Sequence, residues 1–203
     1  PEYVASLGDV IVQQYDINTL SRPYSWVNDA IIHIYGRIIQ DDYEDIFFIP
    51  PCTVQYFRFK NGKEVLSVVS SWHLSNYKVV FIPFTNSESS RDPGNLAFFP
   101  KEGKEGNRFY LCDSYQKFSS ASLKSARQIV LKLVSLLKLK CYKLFKKEVP
   151  QQTNNYDCGI YLLAYMEFLA KNRSFSGMED YVTPEKVASM RSTIERKILN
   201  VGK

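Results

Sequence analysis

Apolar positions recur along this chain with two periods. Lys78–Phe84 is rich in β-branched and aromatic residues and predicts a strand, as do Leu96–Phe99, Arg108–Cys112 and Lys143–Val149. Ile46–Ile49 is a shorter apolar run stopped by Pro50 and Pro51, which fits a short strand or a turn. Helical spacing appears first at Ile31, Ile32, Tyr35, Ile38 and Ile39, after Ser25–Asp29, which has the look of a helix start. It returns in Val65–Leu74, with Leu66, Val69 and His73 along one side, and in Ser122–Lys140, with Ile129, Leu133, Leu136 and Leu137 on the apolar side. A last helix is predicted from Thr183 as N-cap and Pro184 at the first helical position, with Val187, Met190, Ile194 and Ile198 as its docking stripe. Thr85–Asn95 and Pro100–Asn107 are polar and predict loops. Hairpin strands with helices segregated around them make the fold class α+β.

At 203 residues the chain is expected to be one domain spanning 1–203, long enough to bury a sizeable core. Apolar residues make up 45%, which excludes global disorder. The net charge of +5 is mild and its basic residues are scattered, so nucleic acid is not an expected partner. No apolar run approaches the length of a membrane span, and no signal-peptide pattern is present. The four cysteines, at 52, 112, 141 and 158, form no Cys-x-x-Cys pair, and there are two histidines, so neither a zinc site nor another cofactor is expected. Reduced thiols fit a cytoplasmic or nuclear protein. Pro1 in place of Met points to a fragment or a processed end. A monomer is expected, since no coiled-coil pattern occurs.

The richest chemistry lies in Pro150–Gly159. A polar loop ends abruptly at Cys158, and Ile160–Leu169 then runs apolar on nearly every face. Cys158 is therefore expected in the first turn of a buried helix. The partial positive charge of a helix N-terminus stabilises a thiolate, the nucleophilic form of cysteine. Gln152, on the loop leading to the sulfur, carries an amide able to donate to a developing oxyanion. Asp113 ends the predicted strand Arg108–Cys112, where a carboxylate can orient an imidazole. A small buried cysteine and a solvated strand-end carboxylate are the plainer alternatives.

Four segments together resemble the ubiquitin-like-protein-specific cysteine proteases, the Ulp and sentrin-specific family. They are Ser25–Asp29, Val79–Pro83, Tyr110–Ser114 and Pro150–Tyr161, in the family's order across nearly the whole chain. The last is highly specific. Chain length looks most like the branch acting on the Nedd-type modifier, with the SUMO-directed branch as competitor. The resemblance implies a papain-like α+β fold, a mixed sheet flanked by helices. It makes Cys158 the nucleophile, Asp113 the triad acid and Gln152 the oxyanion donor, partnered by the Cys158 backbone amide. Trp26 and Asp29 would flank the channel for the modifier's tail. The implied partner is a ubiquitin-like modifier with its conjugates, cut after the C-terminal glycine.

One component of that pattern is missing. The family's His-Trp follows the strand matched by Val79–Pro83 and opens the next one. Here Asp92-Pro93-Gly94-Asn95 passes straight into Leu96, as though about four residues were absent at the Asn95–Leu96 junction. His33 falls inside a predicted helix, and His73 precedes the Val79 strand, with Trp72 before it instead of after it. Three alternatives follow: a protease whose histidine is lost by splicing or a faulty gene model, a pseudo-protease that binds a modifier without cutting it, and an unrelated reactive-cysteine protein on the same fold.

Overall fold

A computed structural model describes residues 3–85, 93–100, 106–115 and 119–201. The chain opens with a hairpin, β1 (Tyr3–Leu7) and β2 (Val10–Gln13), and continues through α1 (Gln14–Ser21) into α2 (Asp29–Asp42). Then follow β3 (Ile46–Phe48), α3 (Pro51–Phe59), α4 (Lys63–Ser71), a 3-10 turn (Leu74–Asn76) and β4 (Val79–Thr85). β5 (Pro93–Phe99), β6 (Asn107–Cys112), α5 (Ser119–Leu137) and β7 (Tyr142–Lys147) complete the strands. α6 (Cys158–Asn172), α7 (Met178–Tyr181) and α8 (Pro184–Val201) complete the chain.

Five of the strands form one mixed sheet in sequence order, β3 to β7. β3–β4 and β6–β7 are parallel, while β4–β5 and β5–β6 are antiparallel. Parallel neighbours need a crossover; α3 with α4, and α5, supply the two. Strand alternation then splits the core. Val79, Phe81, Ala97 and Cys112 face α2, α6, α8 and the N-terminal hairpin. Val80, Ile82, Leu96, Phe98, Phe109 and Leu111 face α3, α4 and α5. α6 is apolar all round because it lies at the centre of the first layer, with twelve buried residues.

Local chemistry accounts for most boundaries. The Asn28 side chain accepts the Ile31 amide at 3.2 Å and caps α2, while Thr183 Oγ1 accepts the Lys186 amide at 3.2 Å and caps α8. Pro50 and Pro51 stop β3 and also open α3, where proline's missing N–H costs nothing. That dual role hid α3 from the sequence pattern, as the weak periodicity of Gln14–Ser21 hid α1.

One expectation is corrected. Leu66 and His73 do not share a buried helix side: Val65 and Val69 face the core, Leu66 is 39% exposed, and α4 ends at Ser71. His73 lies beyond the helix in a left-handed conformation (φ 48°). The strand pairing also runs through the Asn95–Leu96 junction. β5 begins at Pro93, and its pairing with β4 runs without a shift from Thr85↔Pro93 to Val80↔Phe98. The junction where the resemblance implies about four missing residues thus lies inside a regular strand pair. Most of the predicted Thr85–Asn95 loop, residues 86–92, lies outside the described residues, as do 101–105 of the Pro100–Asn107 loop. No helix among the described residues is long and apolar enough to cross a membrane.

Candidate active site

Cys158 is the first residue of α6 and is 5% exposed. Its helix has 15 residues, so the backbone dipole favours negative charge at the sulfur's end. The next residue explains why the helix can begin there. A Cβ on Gly159 would lie 2.3 Å from Val27 Cγ2, so only glycine lets α6 approach the segment ahead of α2 this closely. This contact places Trp26 and Asp29 against Cys158. A cavity of about 490 Å³ is lined by all three, together with Asp16, Asn28 and Thr85.

Asp29 occupies the first position of α2, and burial raises its carboxyl above the ordinary carboxylate range. Trp26 is 38% exposed, and its Nε1 donates to the Asn155 carbonyl at 2.6 Å. Thr85 closes the far wall: its Oγ1 accepts from Gln55 Nε2 at 2.7 Å and its carbonyl from Arg58 Nη1 at 3.2 Å.

The loop ahead of Cys158 is strapped to the end of β6. Asp113 sits one residue past that strand, 9% exposed, and its Oδ1 accepts the Tyr115 amide at 3.0 Å. Its carbonyl accepts Gln151 Nε2 at 2.9 Å. Gln152 is held twice by Ser114: the Gln152 amide donates to the Ser114 carbonyl at 2.9 Å, and Ser114 Oγ donates to Gln152 Oε1 at 2.6 Å. Gln152 Nε2 gives one proton to the Asn154 carbonyl at 2.7 Å, and its second remains for another acceptor. Tyr165 of α6 donates to the Pro150 carbonyl and pins the start of the loop.

Asp157 stands at the N-cap of α6, but its side chain makes no capping hydrogen bond. Its carboxylate is instead held by Arg191 and Asn154. Cys112 is buried beside Asp113, and burial pushes its thiol up to about 12, which leaves it protonated and inert. Cys52 and Cys141 are exposed free thiols.

Neither histidine stands in this cavity. His33 faces Asp9 at 3.5 Å, and its pKa is lowered, chiefly by burial. His73 lines a different cavity with Leu66, Phe98, Leu137 and Cys141, on the α4–α5 side of the sheet. β5 opens with Pro93-Gly94-Asn95, and Asn95 pairs with Cys112 next to Asp113. None of these residues carries an imidazole. Sequence reasoning missed Ser114, Val27, Thr85 and Arg191. Gly159 directly after the cysteine was the available signal for a close backbone approach; Arg191 had none.

Solved structures share this arrangement of sheet and helices. The SUMO protease Ulp1, with its catalytic cysteine oxidised to a sulfenic acid, matches at TM-score 0.77 and 19% identity, covering 98% of this chain and 88% of that one. The C-terminal Ulp1 protease domain in complex with SMT3, the yeast ortholog of SUMO, matches at TM-score 0.74 and 19% identity, over 98% and 87%. The class is therefore the α+β, papain-like fold of the ubiquitin-like-protein cysteine peptidases.

Sequence similarity narrows this further. Residues 110–201 match the model of the Ulp1 protease family, C-terminal catalytic domain. The probable sentrin-specific protease 8 of Dictyostelium discoideum is 30% identical over 192 residues, 83% of this chain and 75% of the relative. The chain belongs to the Ulp1 protease family. Human sentrin-specific protease 8 is 26% identical over 98% of both chains, and NEDD8-specific protease 1 of Arabidopsis thaliana is 28% identical over 87% of this chain and 79% of its own.

Proposed function

We propose that this site serves to release or mature a ubiquitin-like modifier, Nedd-type in preference to SUMO, by hydrolysis after its C-terminal glycine. The observation that carries it is the single cavity lined by Cys158, Trp26 and Asp29, with the Gln152 loop leading along the chain into Cys158. The Nedd-type preference is supported by relatives named sentrin-specific protease 8 and NEDD8-specific protease 1, which match along most of their own length. Binding of a modifier is supported by relatives solved with SMT3 and with ubiquitin.

In this proposal the modifier's tail enters beside Trp26 and Asp29, and its terminal glycines bring no side chain that the cavity must accommodate. Cys158 Sγ attacks the terminal glycine carbonyl. Gln152 Nε2 and the Cys158 amide receive the oxyanion. The amine leaves, and water releases the thioester. Asp113 would orient the base, and that base is the component the chain lacks. Loss of one triad member costs on the order of 10⁴ to 10⁶ in turnover, so hydrolysis by this chain should be strongly depressed.

That same absence favours a second role, a pseudo-protease that captures the modifier without cutting it. The experiment is a Nedd-type modifier carrying a C-terminal electrophile, beside one carrying a fluorogenic amide. Labelling that maps to Cys158 and vanishes in Cys158→Ala supports a competent thiol and tail slot. Binding without labelling supports the pseudo-protease. Neither labelling nor binding rejects both.

A further inference from the structure

Arg191 lies on α8, far along the chain from both segments that wall the Cys158 cavity, yet its guanidinium touches both. Nε and Nη2 donate to Asp157 Oδ1 at 3.1 and 2.7 Å. Nη2 also donates to the Ser25 carbonyl at 2.7 Å, and Nη1 to the Thr19 carbonyl at 3.0 Å. The Arg191 and Asp157 side chains are 15% and 12% exposed, so the pair is only weakly screened by solvent. A residue serving only to dock α8 would need one of these partners. Arg191 instead joins the end of α1, the residue before Trp26 and the residue before Cys158.

The two walls meet at further points. Trp26 Nε1 reaches the Asn155 carbonyl, and the Tyr24 and Tyr156 rings stand edge to face at 5.3 Å. Tyr24 has a positive φ of 59° in the turn that leads to Trp26. From Asp157 the network continues inward: Asn154 Nδ2 donates to Asp157 Oδ2 at 2.7 Å, and the Asn154 carbonyl accepts from Gln152 Nε2. Asn154 thus links the Arg191–Asp157 pair to Gln152, through its side chain on one side and its backbone carbonyl on the other.

We infer that Arg191 is a positioning residue: it clamps the Ser25–Trp26 wall to the Asp157–Cys158 wall, sets the width of the slot between them, and holds the Gln152 loop in register with the sulfur. The role in tail capture rests on the proposed function; the coupling of the two walls does not. Arginine's planar fork is needed because three acceptors at fixed angles must be met at once, which a lysine's single ammonium does not do.

The test compares Arg191→Ala and Arg191→Lys with Arg196→Ala, on the exposed side of α8, in the full chain. Iodoacetamide alkylation is followed by mass spectrometry at Cys158, with exposed Cys52 and Cys141 as internal references. Amide exchange is followed in both walls, and the concentration dependence of labelling by the modifier electrophile is recorded. Both Arg191 variants should speed Cys158 alkylation by about fivefold or more, leave Cys52 and Cys141 unchanged, and raise exchange in the two walls together. They should also raise the half-saturating probe concentration more than they lower the maximal rate. Arg196→Ala should change none of these.

Wild-type behaviour in Arg191→Lys would overturn the clamp, because one positive charge would then suffice. So would exchange that rises evenly along α8 and α6, with Cys158 tracking buried Cys112. Should Arg191→Ala fail to fold, the lysine variant decides alone. If the wild type ignores the modifier probe while the alkylation and exchange results hold, the clamp stands and the substrate assignment fails.

Discussion

Gly159→Ala isolates the contact that builds the cavity. The added methyl would sit 2.3 Å from Val27 Cγ2, far inside van der Waals contact, and 3.9 Å from Ile32 Cδ1. Val27 is buried, so it has little room to retreat. Overpacking of this kind costs about 1–3 kcal/mol, and alanine's helix propensity returns at most about 1 kcal/mol. The net expectation is a loss of about 1–2 kcal/mol, or a Tm lower by about 2–8 °C for a chain of this size. Relief requires Val27 to move, and Trp26 moves with it. Labelling of Cys158 by the modifier electrophile should therefore slow on the order of tenfold or more, since misplacement by about an ångström is costly to a reacting geometry. Val27→Ala removes the clashing Cγ2 and leaves its Cβ at an ordinary 3.8 Å. The double variant should accordingly be about 0.5–3 kcal/mol more stable than the sum of the single variants. Thermal melts and probe kinetics on the four proteins complete the cycle. A Gly159→Ala protein as stable as wild type, or strict additivity with Val27→Ala, would refute the close-approach account.

Two further outcomes are expected. Burial raises the Asp29 pKa, so the folded chain binds more protons than the unfolded one above the ordinary value of 3.8, and ionisation of this group makes stability fall as pH rises through that window. Asp29→Asn should flatten that part of the pH–stability profile and raise Tm at neutral pH while weakening modifier capture; melts across acidic to neutral pH check it, and an unchanged profile rejects it. Ser114→Ala frees Gln152 Oε1, and should slow thioester formation by less than the ~10²-fold expected of Gln152→Ala, with Tm nearly unchanged; a Ser114→Ala rate equal to wild type alongside a defective Gln152→Ala would show that the hydroxyl does not aim the amide.

Much of the fold was legible because its signals are local. β4 and α6 are dense in apolar residues, and Asn28 and Thr183 mark helix starts through their own side chains. Cys158 could be set at a helix N-terminus from the polar-to-apolar switch alone. His73 was misplaced because a run of Val, Leu and Ser fits more than one helical phase, and only packing chose Val65 and Val69. α3 stayed hidden because Pro50 and Pro51 signal a stop and a start with equal force.

The sequence by itself determined the α+β class, the thiol at its helix start, the carboxylate at a strand end and the absence of an imidazole from the expected position. Only the tertiary structure decided that Val27 rests on Gly159, that Ser114 holds Gln152, and that Arg191 joins Ser25 to Asp157. Those contacts link residues tens to more than a hundred positions apart, and their energies depend on distances that no local pattern encodes. They exist only once α2, α6 and α8 are packed on one face of the sheet.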